Sequence, residues 1–591
     1  MNMGTYCMLI NTCSNRRLVE TALGNEPADM VIKDGTLMDV YTGRMVPHCS
    51  VAISGTQIAY VGPDASHAVG EKTRVIQAHG RIISPGYVEA HTHIANYCNM
   101  SDFLEYAIPG GTTTFITEVE SYGFALGAEG FRAFLDQVRD RPVKLYGLIP
   151  PMVTLSPSVS ARYISKDEAR ELLTDDRVLG LGESYWQGAV MTRDNRVLEL
   201  IHETLRAGKS VQGHAAGAFD KKLAAYAAAG AMSCHEAIST EDVLSRLELG
   251  YYVMIREGDI RRDLEIILPI KDSIDLRRLI LVTDGTNPEL IIKQGYMVDV
   301  VQKAVDLGLE PIKAVQMVSL NPAEHFGLDH LTGGISPGRF ADILLLPKPG
   351  VMRPDLVISN GRIVAENGKT TIPLPRVPYP DALLKTVPIN PVSPSQFRIP
   401  VPATRKGEYV RTIDIQPGGL VTREGNAKAV VKNGQYCVDP ENDLLKVVFI
   451  ERVSGRGQGF VGFVRGWGQK DGAVATSLCW DASGVIAIGA NDMDIATAIN
   501  RVIENQGGTS LAVKGELLMD IPFSVGGYVS DMRIENIAEG LGHFQKRVTG
   551  LGSHLDFALL TLCTLTTAAI PFIRITERGY FRFRENDLVG I

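Results

Sequence analysis

Eight short apolar runs separated by amphipathic stretches constrain the fold of this chain more than any other feature. They lie near 82–88, 112–117, 143–149, 178–182, 209–213, 231–234, 251–255 and 279–283. Between most of them apolar residues recur at helical spacing, as at 131–139, 196–207, 221–229 and 241–249. Eight strands with intervening helices over roughly 200–250 residues is the count of a (β/α)8 barrel, the TIM-like fold in which functional groups stand at the C-terminal strand ends.

Six side chains fall at those ends: His91, His93, Glu183, His214, His235 and Asp284. His91 and His93 form an H-x-H, so both imidazoles leave one face of an extended chain and can grip a cation from the same side. Alone, that pattern is weak, because a single histidine is more often a core residue with a local hydrogen bond. Here four histidines each follow an apolar run, whereas the other eight (48, 67, 79, 202, 325, 330, 543 and 554) do not. A closed structural metal cage is built from Cys and His, so a mixed His/carboxylate set at a barrel mouth suits an open, catalytic site. Asp284, at the end of the eighth strand, can take the proton of an attacking water and pass it to a leaving group. Glu183 is long enough to bridge two metals or complete one. These residues point to hydrolysis, with a C–N bond of a polar substrate as the expected target.

The flanks of the barrel are strand-like. Residues 30–63 read as short strands, with Val31-Ile-Lys-Asp-Gly35 ending in a turn, and Val357-Ile-Ser-Asn-Gly361 echoes that turn after the barrel. The echo predicts one small β-sandwich, contributed by 1–84 and 334–372, into which the barrel of 85–333 is inserted. Nine prolines between Pro373 and Pro402 predict an extended linker over 373–404. Residues 405–591 then form an α+β C-terminal domain, with strands at 429–431, 445–450, 459–464 and 485–489 and a helix near 494–505.

Composition excludes several classes. At 591 residues the chain holds two to four domains. A net charge of −8 with no Lys/Arg block argues against nucleic acid as a partner. No apolar run reaches membrane-span length, and residues 1–24 lack the apolar core of a secretory signal. Eight cysteines without C-x-x-C spacing read as reduced thiols, which places the chain in the cytoplasm.

The H-x-H after Pro-Gly, the strand-eight aspartate and the flanking sandwich resemble the metal-dependent amidohydrolase superfamily. Within it, Gly180-Leu-Gly-Glu183, Gly213-His214-Ala-Ala-Gly217, Ser233-Cys-His235-Glu236, Asn321-Pro-Ala-Glu-His-Phe-Gly327 and Gly526-Gly-Tyr-Val-Ser-Asp531 resemble the adenine deaminase family. The likeness runs from about residue 28 to 591. It implies attack of a metal-activated hydroxide on C6 of adenine, yielding hypoxanthine and ammonia. It also implies a binuclear divalent centre held by His91, His93, Glu183, His214, His235 and Asp284, with manganese or iron favoured over zinc.

Four segments depart from the family's pattern. The chain has Ala95-Asn-Tyr-Cys98 for Glu-Ser-Ser-Met and Glu118-Val-Glu-Ser121 for Asp-Pro-His-Glu. It has Asp284-Gly-Thr-Asn287 for Asp-Asp-Arg-His and Trp480-Asp-Ala-Ser483 for His-Asp-Ser-His. Loops at a barrel mouth set substrate choice, so another amino-heterocycle or a cyclic amide is an alternative substrate. A non-catalytic binding protein is a third reading, against which the complete six-residue set argues. Around the site, Trp186 is expected to stack on a planar ring or to fill space. Glu236 is expected to act as an acid or to orient a ligand. Arg256 is assigned to substrate by resemblance, with a structural ion pair as the alternative. Glu118 and Glu120 reach substrate or a further metal, or else lie in a solvated loop. Trp480 and Asp481 are expected to reach the barrel mouth. The partner is a small molecule, a purine base or similar heterocycle, and a homodimer is an open expectation, since symmetric homo-oligomers are common among soluble proteins.

Overall fold

Parallel strands form at all eight predicted runs: Tyr87–Thr92, Thr112–Glu118, Lys144–Ile149, Val178–Leu181, Ser210–Val211, Ser233–Cys234, Tyr252–Arg256 and Leu279–Val282. The first five pair side by side in sequence order, as do the last three. Single hydrogen bonds complete the ring, Met232 N to Val211 O at 2.9 Å and Asp284 N to His91 O at 3.1 Å. Nearly every strand residue is buried, as expected where helices cover one face and a packed interior the other. This computed structural model describes residues 15–402, 409–570 and 572–591.

The first run behaves differently from its prediction. It divides at Gly86: Ile82–Pro85 pairs antiparallel with Ile343–Leu346 outside the barrel, and only Tyr87 onward enters it. A Cβ on Gly86 would collide with Thr113 Oγ1, so glycine lets the chain cross closely between the two sheets.

Outside the barrel the two chain flanks form one nine-stranded sheet. Its order is Lys369–Thr370, Arg362–Glu366, Leu356–Ser359, Ile343–Leu346, Ile82–Pro85, Met30–Asp39, Arg44–Ser54 and Gln57–Gly62, with Arg74–Gln77 added alongside Met30–Asp39. Ile32, Val51, Ile83, Ile343 and Ile358 share its buried core. The two Gly-containing echoes differ in use. Asn360-Gly361, both at positive φ, turns a tight hairpin in which Ser359 pairs with Arg362. Asp34-Gly35 makes no turn: the strand runs on to Asp39 with a register shift between Ile32 and Gly35. A left-handed Asp (φ 55°) followed by Gly can be absorbed as a bulge instead of reversing the chain.

Beyond the barrel an eight-stranded sheet runs Thr422–Lys428, Tyr409–Ile415, Gly459–Arg465, Leu445–Glu451, Gly484–Gly489, Ala473–Thr476, Gly508–Val513 and Glu516–Pro522. Helix Asp492–Glu504 packs Ile495, Ile499 and Val502 against it. Asn491 caps this helix by accepting from Asp494 N at 2.8 Å. The proline-rich segment lies against the surface as a strap. Prolines keep it out of regular ladders for most of its length, while Leu383, Val387 and Phe397 are buried and Arg141 donates to Pro375 O at 2.9 Å. Val529–Ser530 pairs in parallel with Tyr97–Cys98, just past the first barrel strand. This bridge brings the C-terminal sheet to the barrel mouth. No helix among the described residues is long and apolar enough to cross a membrane.

Candidate active site

The strand ends gather the six predicted residues in one place. His91 Nε2 lies 3.0 Å from Asp284 Oδ1 and 3.3 Å from Glu183 Oε1. His93 Nε2 reaches the same two oxygens, each at 3.3 Å. His214 Nδ1 stands 3.2 Å from Glu183 Oε2, and His235 Nε2, whose ring stacks on that of His91, stands 3.6 Å from Glu183 Oε1. Glu183 is thus the hub among the four histidines. Ligand atoms of His91, Glu183, His235 and Asp284 lie within 4.8 Å of one another, as do those of His214, His235 and Glu236, and of His93, Glu120 and Glu183.

Charge in this cluster is strongly mutual. Burial works against the Asp284 carboxylate, but the His91 and His93 rings outweigh it and hold its pKa well below the usual range. Burial likewise opposes a charged His91, while Asp284, Glu118 and Glu183 keep its pKa well above the ordinary value. Burial, reinforced by the neighbouring His91, holds His235 well below. His214 Nδ1 and His235 Nε2 face each other at 3.1 Å, and His214 Nε2 is buried with no hydrogen-bond partner. Imidazole nitrogens and carboxylate oxygens converging without thiolates suit a divalent cation of intermediate hardness. The donor set therefore fits a metal.

Glu118 and Glu120 are not in a solvated loop. Glu118 is fully buried, with Oε1 3.5 Å from His91 Nδ1, and its Oε2 accepts from Glu183 N at 3.3 Å. Burial and the Glu120 charge push its pKa up to about 8. Gly182 makes room for it, since a Cβ there would collide with Glu118 Oε2. Glu120 Oε2 lies 3.4 Å from His93 Nδ1.

Two sequence expectations are corrected by their surroundings. Trp186 does not line the cavity: it is 3% exposed, its indole N–H donates to Ala216 O at 2.8 Å, and Lys222 sits over its ring. The residue before it, Tyr185, lines the wall in its place. No sequence signal separates the two rings, because Tyr185 takes a left-handed backbone conformation (φ 34°) that decides which side chain faces the cavity. Arg256 does border the cavity, but three carboxylates hold its guanidinium: it pairs with Glu236, with Asp284 Oδ2 at 3.4 Å and with Asp263 Oδ2 at 3.3 Å. Its geometry suits fixing these acids more than gripping a ligand. Glu236 Oε1 stands 3.5 Å from His235 Nε2 while paired with Arg256. Asp259 was missed, lying in a loop with no motif; burial and the Asp284 charge push its pKa up to about 6.

Comparison with known proteins identifies the architecture. The amidohydrolase family matches residues 82–364, and the adenine deaminase C-terminal domain matches 419–587. The chain is 36% identical to the adenine deaminase of Moorella thermoacetica, over 97% of this chain and 98% of that one. It is 35% identical to that of Rubrobacter xylanophilus over 98% and 97%, and 32% identical to that of Clostridium botulinum over 98% and 97%. The chain belongs to the adenine deaminase family. Its fold is therefore the family's metal-dependent amidohydrolase barrel with an added C-terminal domain.

The segments in which the chain departs from that family's pattern meet in one cavity of about 450 Å³ above the His/carboxylate cluster. Asn96 and Tyr97 line it from the first loop, Glu120 from the second, Thr286 from the eighth, and Trp480 and Asp481 from the C-terminal domain. Asp481 also ties the two domains. It accepts from Tyr185 Oη at 2.9 Å, from Ala568 N at 2.9 Å and from Thr567 Oγ1. Burial pushes its pKa up to about 6.

Proposed function

We propose that this enzyme hydrolyses adenine to hypoxanthine and ammonia at a divalent-metal centre. The observation that carries the reading is the convergence of His91, Glu183, His235 and Asp284 at the mouth of the barrel in a chain 36% identical to an adenine deaminase along almost its whole length. His91, His93, Glu183, His214, His235 and Asp284 would hold the metal. The overlapping donor groups, which share Glu183 and His235, favour two ions over one. Nitrogen and oxygen donors without thiolate suit Mn2+ or Fe2+, with Zn2+ the alternative. When bound, such a cation lowers the pKa of water towards neutrality and polarises the ring carbon under attack.

The chain's own residues supply the rest. Glu118 lies beside His91 Nδ1, and Nε2 of that ring faces Glu183 and Asp284. Asp284, held ionised by its imidazole neighbours, takes a proton from the attacking water and returns it to the departing amine. Arg256 orients Asp284 through Oδ2 and holds Glu236 in place beside His235. The same reading makes the protein a cytoplasmic homodimer that acts on a small heterocycle, neither on nucleic acid nor at a membrane. The six described cysteines, all unpaired with one another, agree with a reducing compartment.

The test is ammonia release from manganese-loaded protein with adenine, followed as the absorbance shift to hypoxanthine. Chelation is expected to abolish turnover, and added manganese to restore it. Folded, metal-loaded protein that leaves adenine unchanged would overturn the assignment.

A further inference from the structure

The cavity has two chemically different walls. The barrel supplies nearly all the ionisable side chains, among them His93, His214, His235 and the carboxylates around Glu183, together with apolar ones such as Ile94 and Phe124. The C-terminal domain supplies mainly apolar ones, Leu420, Val421, Leu478, Leu560, Ile570 and Phe572. Its single carboxylate in the cavity, Asp481, has its oxygens engaged by Tyr185, Thr567 and Ala568, so it adds no free acceptor. The loop bearing Leu420 and Val421 is firmly held. Arg574, fully buried, donates to Thr422 Oγ1 at 2.8 Å and to Leu420 O at 2.9 Å.

A bare purine base presents ring nitrogens and an amine on most of its edges. An apolar wall leaves such edges without partners, at a cost of about 1–3 kcal/mol for each group buried unpaired. The cavity volume of about 450 Å³ also falls in the range, roughly 300–1,000 Å³, that encloses ligands of drug size. Ionic groups for the reacting edge and an apolar surface for the remainder describe a substrate with two ends.

We infer that the preferred substrate is a 6-aminopurine, or a close amino-heterocycle, bearing an apolar substituent that the C-terminal domain covers. The inference rests on the deaminase reading above and keeps its chemistry. Water forms the new C6–O bond, the C6–N bond breaks, and the amine leaves as ammonia with the proton delivered to it.

The experiment compares adenine with adenines carrying a butyl group at C2, C8 or N9, using the manganese-loaded full chain and measuring ammonia release and product mass. At least one butyl compound is expected to exceed adenine in kcat/KM by about tenfold or more, the range that apolar pocket contacts supply. Filling the wall with L420W should then reduce that ratio by about tenfold or more. Adenine as the best substrate of the panel would overturn the inference and leave the deaminase reading standing. A ratio unmoved by L420W would remove the C-terminal wall from the argument and overturn it also. Release of ammonia from none of the compounds, with metal bound, would sink both readings together.

Discussion

Asp284 carries its side chain into the site from a left-handed backbone conformation (φ 58°), and Tyr97, Tyr185 and Asp481, also on the cavity wall, share that region at φ 66°, 34° and 54°. Such residues cost about 1–3 kcal/mol each and persist where the surroundings over-determine them, as at functional sites. D284N keeps the shape but cannot accept the proton, so kcat should fall by about two to four orders of magnitude while metal content, measured by elemental analysis, stays near native. Unchanged turnover would remove Asp284 from proton transfer. A second residue is sensitive to pH without touching the chemistry. His325 is buried and paired through Nε2 with Gln212 Oε1 at 2.9 Å, and burial lowers its pKa to about 3. In the unfolded chain the ring takes up a proton near pH 6.5. Its contribution is therefore full above that value and falls as the pH drops towards about 3, by up to about 1.4 kcal/mol per pH unit. Urea melts at pH 6 and pH 5 should show H325Q losing about 1 kcal/mol less than the native chain over that step; identical losses would contradict the burial argument.

At the scale of elements, the link from the fourth strand to the site is a glycine. G182A should push Glu118 from its position beside His91 and lower metal affinity roughly 10–100-fold, as other outer-sphere changes do, measured by competition with a chelating dye. Retained affinity would show that Glu118 does not tune the site. The barrel strands were legible in the sequence because each is a short apolar run buried on both faces, and the ligands followed from their place at strand ends. Other elements carried no such signal. Thr422–Lys428 is an edge strand with mostly polar residues, and Ile534–Gly550 contains three glycines that hide its helical pattern. Trp186 and Tyr185 show a finer limit. Periodicity located the loop, but which neighbouring ring faces the cavity depends on the backbone turn at Tyr185, which residue types alone do not encode.

Across the whole molecule, one buried aspartate joins three parts of the chain. Asp102, on a barrel helix, is 1% exposed and receives Arg376 of the strap at 2.6 Å and Arg533 of the C-terminal domain at 2.9 Å. Both arginines are partly solvated, which holds the pair energies to the low end of charged hydrogen bonds. D102A should therefore cost about 1–2 kcal/mol in denaturant unfolding and speed proteolysis within 373–404. Unaltered cleavage there would mean that the strap is held by its apolar contacts alone. The outer sheet has a different consequence, one of timing. Ile82–Pro85 finds its antiparallel partner only at Ile343–Leu346, the whole barrel later in the chain. At a synthesis rate of roughly 5–20 residues per second, the first flank waits on the order of 10–50 s with a bare strand edge. Unpaired edges recruit other strands, so the nascent protein passes through a window in which the ribosome's neighbourhood, and the chaperones in it, decide the yield of folded enzyme.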